Sequence, residues 1–198
     1  MTPVTTLYFV RHGESEANAK RIFAGQTDSP LTERGRAQAK LVAATLRPIH
    51  FDRIVASTLS RTTDTAAEVA VGRDVGVETF ADLNEIDLGI VAGLPWDEAR
   101  GLPNYHDGFV QWPGGESLDQ VVTRAMGVID RLVSESPGKR ICVIGHGGVT
   151  RILVSGFLGV LPKLIRTTAQ NTNITIVTHE PGKGYMVQEM FQDTHLVS

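Results

Sequence analysis

The stretch Arg140-Ile141-Cys142-Val143-Ile144-Gly145-His146-Gly147-Gly148 decides the fold class. Ile141 to Ile144 form an unbroken apolar run, the character of a strand buried on both faces. The run stops at a histidine among glycines, and a helical pattern follows to about residue 158. Near the amino terminus Thr5-Thr6-Leu7-Tyr8-Phe9-Val10 repeats the arrangement, with Arg11-His12-Gly13-Glu14 following at once. Strands covered on both faces need helices on both, so these two segments point to an α/β protein.

The intervening segments agree. Residues 31–46 read as a helix, because Leu31, Ala39, Val42 and Leu46 share one face and Pro48 follows. Residues 53–57 read as a short buried strand, and 58–71 as a helix stopped by Gly72. A looser stretch rich in Gly and Pro covers about 89–115, and a long helix runs over 117–134 with Ser117 as its N-cap. Residues 173–178 and 185–191 are strand-like runs around Glu180-Pro181-Gly182-Lys183-Gly184, a hairpin signal. The expected architecture is three-layer α/β/α, with a mainly parallel central sheet and an antiparallel edge hairpin. No repeat or linker divides the chain, so residues 1–198 are expected to form a single domain with a short cap at about 89–115.

Composition narrows the function. With 19 basic and 22 acidic residues, the net charge of −3 argues against nonspecific nucleic-acid binding. No apolar run approaches the ~18 residues of a membrane span, and no signal peptide is visible, so a cytoplasmic, non-membrane protein is expected. Cys142 is the only cysteine, which excludes an internal disulfide and a cysteine-based zinc cluster. His50, His106, His179 and His195 lack metal-ligand spacing, and neither a metal nor a cofactor is expected.

In an open parallel sheet, ligands bind beyond the carboxyl ends of the strands. Three such ends carry His12 with Arg11, His146 among glycines, and Ser57 leading to Arg61. Two guanidiniums, two imidazoles and glycine-freed backbone amides suit a phosphoryl group. Taken singly each has a plainer reading: a satisfied polar histidine, a solvated arginine, a tight turn. Their occurrence together and in order is the signal.

The order of motifs resembles the histidine phosphatase superfamily, the phosphoglycerate-mutase-like proteins. The likeness rests on Val10-Arg11-His12-Gly13-Glu14-Ser15 with Asn18, the 25–35 segment, and Ala56-Ser57-Thr58-Leu59-Ser60-Arg61-Thr62. It continues through Leu83-Asn84-Glu85-Ile86-Asp87-Leu88-Gly89, Pro113-Gly114-Gly115-Glu116-Ser117, Gly145-His146-Gly147-Gly148, Asn171 and Asp193-Thr194-His195-Leu196. The resemblance implies His12 as nucleophile, forming a phosphohistidine, and Glu85 as proton donor and acceptor. It implies Arg11, Asn18, Arg61 and His146 around the phosphoryl oxygens, with Gly25 and Gly147 offering backbone groups. Glu14 is expected to orient the signature loop, and Thr32-Glu33-Arg34-Gly35 to serve helix entry and packing.

Mutases of the family place a tyrosine, a lysine and paired arginines after the acid glutamate. Here the stretch from Ile86 to Pro113 holds one basic residue, Arg100, and Leu88 stands where the mutases have tyrosine. The resemblance is therefore to the phosphatase branch, acting on a small phosphorylated metabolite. A cofactor-dependent phosphoglycerate mutase and a catalytically weak phosphate-binding module are the alternatives, and homo-oligomerisation is left open. Ile90, Val91, Leu94, Trp96, Tyr105, Phe109 and Trp112 are candidates to line a substrate mouth or to pack the cap.

Overall fold

The computed structural model describes residues 2–100, 113–166 and 170–196. In chain order the strands are β1 (Thr5–Arg11), β2 (Arg53–Ala56), β3 (Val77–Thr79), β4 (Arg140–Gly145), β5 (Ile174–Glu180) and β6 (Gly184–Gln192). The helices are α1 (Glu16–Ala19), α2 (Glu33–Leu46), α3 (Ser60–Ala70), α4 (Trp96–Arg100), α5 (Leu118–Glu135) and α6 (Gly147–Phe157). The strands form one sheet in the order β3-β2-β4-β1-β5-β6. β1, β2, β3 and β4 run parallel, and β5 and β6 add antiparallel at one edge, as the sequence indicated.

Side-chain alternation along β4 divides the core in two. Ile141 and Val143 face one layer with Leu7, Phe9, Val55 and the apolar stripes of α5 and α6. Cys142 and Ile144 face the other, where Ile54 and Ala56 meet Val42 and Leu46 of α2 and Ala66 and Val69 of α3. Cys142 is thus a small core residue, and burial pushes its thiol up to about 12. α5 opens with the expected cap: the Ser117 hydroxyl accepts from the Gln120 amide, and the Gln120 side chain accepts from the Ser117 amide.

Helix boundaries differ from the sequence reading by one or two residues. α2 begins at Glu33 rather than 31, because Thr32 is its N-cap and accepts from Gly35 N at 2.9 Å. α3 begins at Ser60 rather than 58, since Leu59 is still extended. Two short elements escape a periodicity argument: the four-residue α1 and the three-residue β3. Within the predicted cap, Gly89–Val91 form a 3₁₀ turn and α4 follows. Tyr105, His106, Phe109 and Trp112, and the side chain of Arg100, lie outside the described residues. Among the described residues no helix is long and apolar enough to cross a membrane.

Sheet register builds the site. Arg11 pairs with Gly145, so His12 and His146 leave adjacent parallel strands at the same level. Ala56 pairs with Ile144 on the other side of β4, which brings Ser57 alongside. The three signals found at separate strand ends therefore converge at one edge of the sheet.

Candidate active site

A cavity of about 290 Å³ opens at this edge. Arg11, His12, Asn18, Gly25, Arg61, Glu85 and Gly147 line it, together with Gly148. A larger cavity of about 550 Å³ lies between the carboxyl ends of α2 and α3, away from all of these residues. Chemistry, not size, singles out the smaller one.

His12 is buried, and its backbone N–H donates to Gly145 O at 3.0 Å, continuing the ladder past the end of β1. Its Nδ1 lies 2.6 Å from Gly13 O. A carbonyl only accepts, so Nδ1 carries the proton and Nε2 keeps its lone pair. Burial, and then the charges of Arg11 and Arg61, push the imidazole pKa well below its usual 6.5, so the ring is neutral near pH 7.

Arg61 is not solvated surface. It is 2% exposed, its Nη2 donates to Gly25 O at 2.8 Å, and its Nη1 donates to Thr27 O at 3.0 Å. The guanidinium thus pins the 24–27 loop to the cavity wall. Asp28 adds a second tie by accepting from the amide and hydroxyl of Ser60, both at 2.9 Å. Gly25 sits at φ +52 with Ile86 O 3.0 Å from where a Cβ would be, a position that favours glycine. Burial lowers the pKa of both Arg11 and Arg61, and the nearby Glu85 opposes that loss in each.

Asn18 belongs to the small helix that sequence periodicity missed. Its Oδ1 accepts from Ser15 N at 3.2 Å and from Asn171 Nδ2 at 3.1 Å. Asn171 Nδ2 also donates to His12 O at 3.0 Å, while Thr172 N donates to Arg11 O and Asn173 O accepts from Arg11 N. The 171–173 segment clasps the carboxyl end of β1 from the β5 side. Thr172 takes φ +62 there, and its hydroxyl lies 3.0 Å from His195 Nε2. The carboxyl-terminal Asp193-Thr194-His195-Leu196 motif thereby gains a role in bracing this segment.

Glu85 reaches the site from a loop. Its Oε2 accepts from Gly148 N at 3.1 Å, and its Oε1 accepts from Val149 N at 3.2 Å and Ile86 N at 3.0 Å. The carboxylate therefore occupies part of the amino-terminal end of α6, where unpaired amides favour an anion. Arg124 of α5 holds the Glu85 backbone in place by donating to Asp82 O, Asn84 O and Glu85 O at 2.7, 2.7 and 3.2 Å. Glu116 fixes Arg124 through Nε at 2.6 Å and also accepts from Asp87 N at 2.8 Å.

His146 stands behind the cavity rather than in its wall. It is fully buried, with its ring 5.2 Å from that of His12 in an edge-on arrangement. Its Nε2 is 2.7 Å from Ser57 Oγ, and its Nδ1 has no partner. Burial, then His12 and the two arginines, holds its pKa well below 6.5. Gly147, next in the chain, does line the cavity, and a Cβ there would approach Arg11 Nε to 3.3 Å.

Glu14 faces away from this cluster. Its carboxylate accepts from Thr32 Oγ1 at 2.9 Å and pairs with Arg34, joining the signature loop to α2. Gly13 and Gly35 pack backbone to backbone, since a Cβ on either would collide with Gly35 O or Glu14 O. Sequence reasoning missed Ser57, Gly148, Glu116, Arg124 and Arg151 as site or supporting residues; of these Gly148 and Arg151 line the cavity, as does Ser15. Among the described residues no cluster of three or more His, Cys, Asp or Glu is placed to hold a metal.

The family model for the histidine phosphatase superfamily (branch 1) matches residues 7–191. The chain belongs to the histidine phosphatase superfamily. It is 33% identical to the probable phosphoglycerate mutase GpmB of Cronobacter sakazakii, over 96% of this chain and 94% of that one. Among solved superfamily structures, Bacillus stearothermophilus YhfR superposes with a TM-score of 0.86 at 28% identity, covering 97% of this chain and 99% of that one. The phosphoserine phosphatase of Entamoeba histolytica, solved with 3-phosphoglyceric acid, gives 0.85 at 27% identity, with coverage of 97% and 99%. The superfamily thus offers relatives whose names carry both mutase and phosphatase chemistry.

Proposed function

We propose that this protein is a metal-independent phosphatase that hydrolyses small phosphate monoesters through a phosphohistidine on His12. The observation that carries the reading is the His12 Nδ1 contact with Gly13 O at 2.6 Å, which leaves a neutral Nε2 as the free lone pair in a cavity with two arginines. Nε2 attacks phosphorus in line, forming the N–P bond as the ester P–O bond breaks. Arg11, Arg61 and Asn18 hold the phosphoryl oxygens, with Gly25 and Gly147 contributing backbone groups. Protonated Glu85 gives its proton to the departing alkoxide. The resulting carboxylate then takes a proton from water as that water attacks phosphorus, which returns His12 and releases inorganic phosphate.

Transfer to water rather than to a second substrate is supported by the sequence after Glu85. Ile86 to Pro113 contains one basic residue, Arg100, where a mutase needs several cations to retain a carboxylated intermediate. The naming of a relative at 33% identity as a probable phosphoglycerate mutase favours the second reading, a mutase. A panel of sugar phosphates, phosphoserine and nitrophenyl phosphate, assayed for phosphate release beside a phosphoglycerate mutase assay, separates the two. Release exceeding mutase turnover supports the phosphatase reading. Mutase turnover with little release overturns it.

A further inference from the structure

We propose that the alcohol half of the substrate is apolar, carrying an aromatic ring or a group of similar size, and rests on a wall made by Ile22, Phe23, Ile86, Leu88 and Trp96. The proposal rests on the phosphatase reading above and names the class of monoester that the same cavity takes. All five residues line the cavity that contains Arg11, His12, Arg61 and Glu85. In-line attack by His12 puts the leaving oxygen on the far side of phosphorus, where Glu85 must reach it. Whatever that oxygen carries therefore lies beside the neighbours of Glu85.

Those neighbours are apolar. Ile86 Cδ1 and Glu85 Oε1 both face Gly148, 2.7 and 2.5 Å from where its Cβ would be, so the methyl group and the carboxylate lie side by side. Leu88 is buried against the Gly25 loop, its Cγ 3.3 Å from the place of a Gly25 Cβ. The other three are seated by the backbone. Phe23 N donates to Leu94 O at 3.0 Å, Gly93 N to Phe23 O at 2.8 Å, and Trp96 N to Arg21 O at 2.8 Å. This short ladder, with Ile22 opposite Pro95, holds the rings of Phe23 and Trp96 with centroids 6.2 Å apart. Ile22, Phe23 and Trp96 are only half-buried, which leaves apolar surface for a ligand to cover. Of Ile90, Val91, Leu94 and Trp96, Val91 and Leu94 pack on the core, Ile90 stays exposed, and Trp96 lines the cavity.

Charge around the wall disfavours a second anionic group. Asp97 and Glu98 follow Trp96 and are exposed. Arg21 lies over the Trp96 ring at 5.6 Å and pairs with Asp97 at 3.5 Å, so its charge is answered. Arg151 is the one further cation among the described cavity-lining residues, and its Nε donates to Ile165 O at 2.6 Å. A carboxylated ester would meet two acids beside Trp96. A ring meets methyl groups and aromatic faces instead, and leaves water as it binds.

The test compares 3-phenylpropyl phosphate with propyl phosphate, whose leaving alcohols need a proton equally, and with phosphoserine. The expected result is a kcat/KM about 10-fold or more higher for the phenylpropyl ester than for either, carried mainly by KM. Trp96→Ala should cut the advantage over propyl phosphate to about 3-fold or less, and Trp96→Phe should keep most of it. Phe23→Ala supplies a second variant if Trp96→Ala does not fold, and the wild-type comparison needs no variant at all. Equal kcat/KM for the phenylpropyl and propyl esters would overturn the proposal. So would a preference for phosphoserine over the phenylpropyl ester, or an undiminished phenylpropyl advantage in Trp96→Ala. Calorimetry with 3-phenylpropylphosphonate and propylphosphonate, which lack a P–O ester bond to hydrolyse, separates the two readings. If no ester is turned over while the phenylpropyl compound still binds about 10-fold more tightly, the phosphatase reading fails and the apolar site stands. Equal binding of the two phosphonates overturns the apolar site whatever the turnover.

Discussion

Replacing Gly148 by alanine tests how Glu85, the proposed proton donor, is seated. The added Cβ would lie 2.5 Å from Glu85 Oε1 and 2.7 Å from Ile86 Cδ1, so the ends of both side chains must shift, which disturbs the bonds from the Gly148 and Val149 amides to Glu85. The backbone at Gly148 is not left-handed, so alanine itself adds no φ strain and improves helix propensity by at most ~1 kcal/mol. Against this stand two hydrogen bonds to a charged group, each worth about 1.5–3 kcal/mol and partly replaced by water once Glu85 moves. The net loss of stability should stay near ~2 kcal/mol or below, leaving the protein folded. Catalysis should suffer more, because a misplaced general acid forfeits a factor of about 10² or more. That loss corresponds to ~2.7 kcal/mol of transition-state stabilisation. The assay compares an alkyl phosphate, whose leaving group needs a proton, with nitrophenyl phosphate, whose leaving group scarcely does. Gly148→Ala should depress the first far more than the second, and Glu85→Gln should show the same selectivity. Equal losses on both substrates, or full alkyl phosphatase activity in Gly148→Ala, would refute the reasoning.

Two further outcomes are expected. His12 and His146 both hold pKa values well below the 6.5 of an unfolded histidine, so protons bind the unfolded chain more tightly. Their contribution to stability is therefore complete above about pH 6.5 and falls below it, by up to ~1.4 kcal/mol per pH unit for each histidine. Denaturant titrations between pH 7.5 and 5 check this, and His146→Ala should flatten the slope. Activity on nitrophenyl phosphate should survive exhaustive EDTA treatment, because imidazole and arginines supply what a divalent ion supplies elsewhere. Loss on chelation with recovery on adding one ion would contradict that expectation.

Much of the fold could be read because its signals are local. The apolar run before His146 and the β-branched run before His12 declare buried strands without reference to any partner. Ser117 declares the start of α5 in the same way. What could not be read is contact between distant segments. Glu85 and Gly148 are 63 residues apart, and nothing local to Gly148 says that its missing Cβ makes room for a carboxylate. Arg124 and Glu116 look like ordinary charges of a helix entry until their donors reach the backbone around Glu85. Asn171 reaches His12 across 159 residues, and the unusual φ of Thr172 beside it has no signature in composition. The tautomer of His12 follows from one carbonyl position, which a sequence cannot give.

The central claim is that His12 carries the phosphoryl group while His146 stabilises its transfer. Rapid quench with radiolabelled substrate, followed by peptide mapping of the acid-labile, base-stable adduct, tests it most directly. The account predicts label on the peptide containing His12, no label or turnover in His12→Ala, and label that forms about 10²-fold or more slowly in His146→Ala. Label on the peptide containing His146, or normal labelling of His12→Ala, would contradict it.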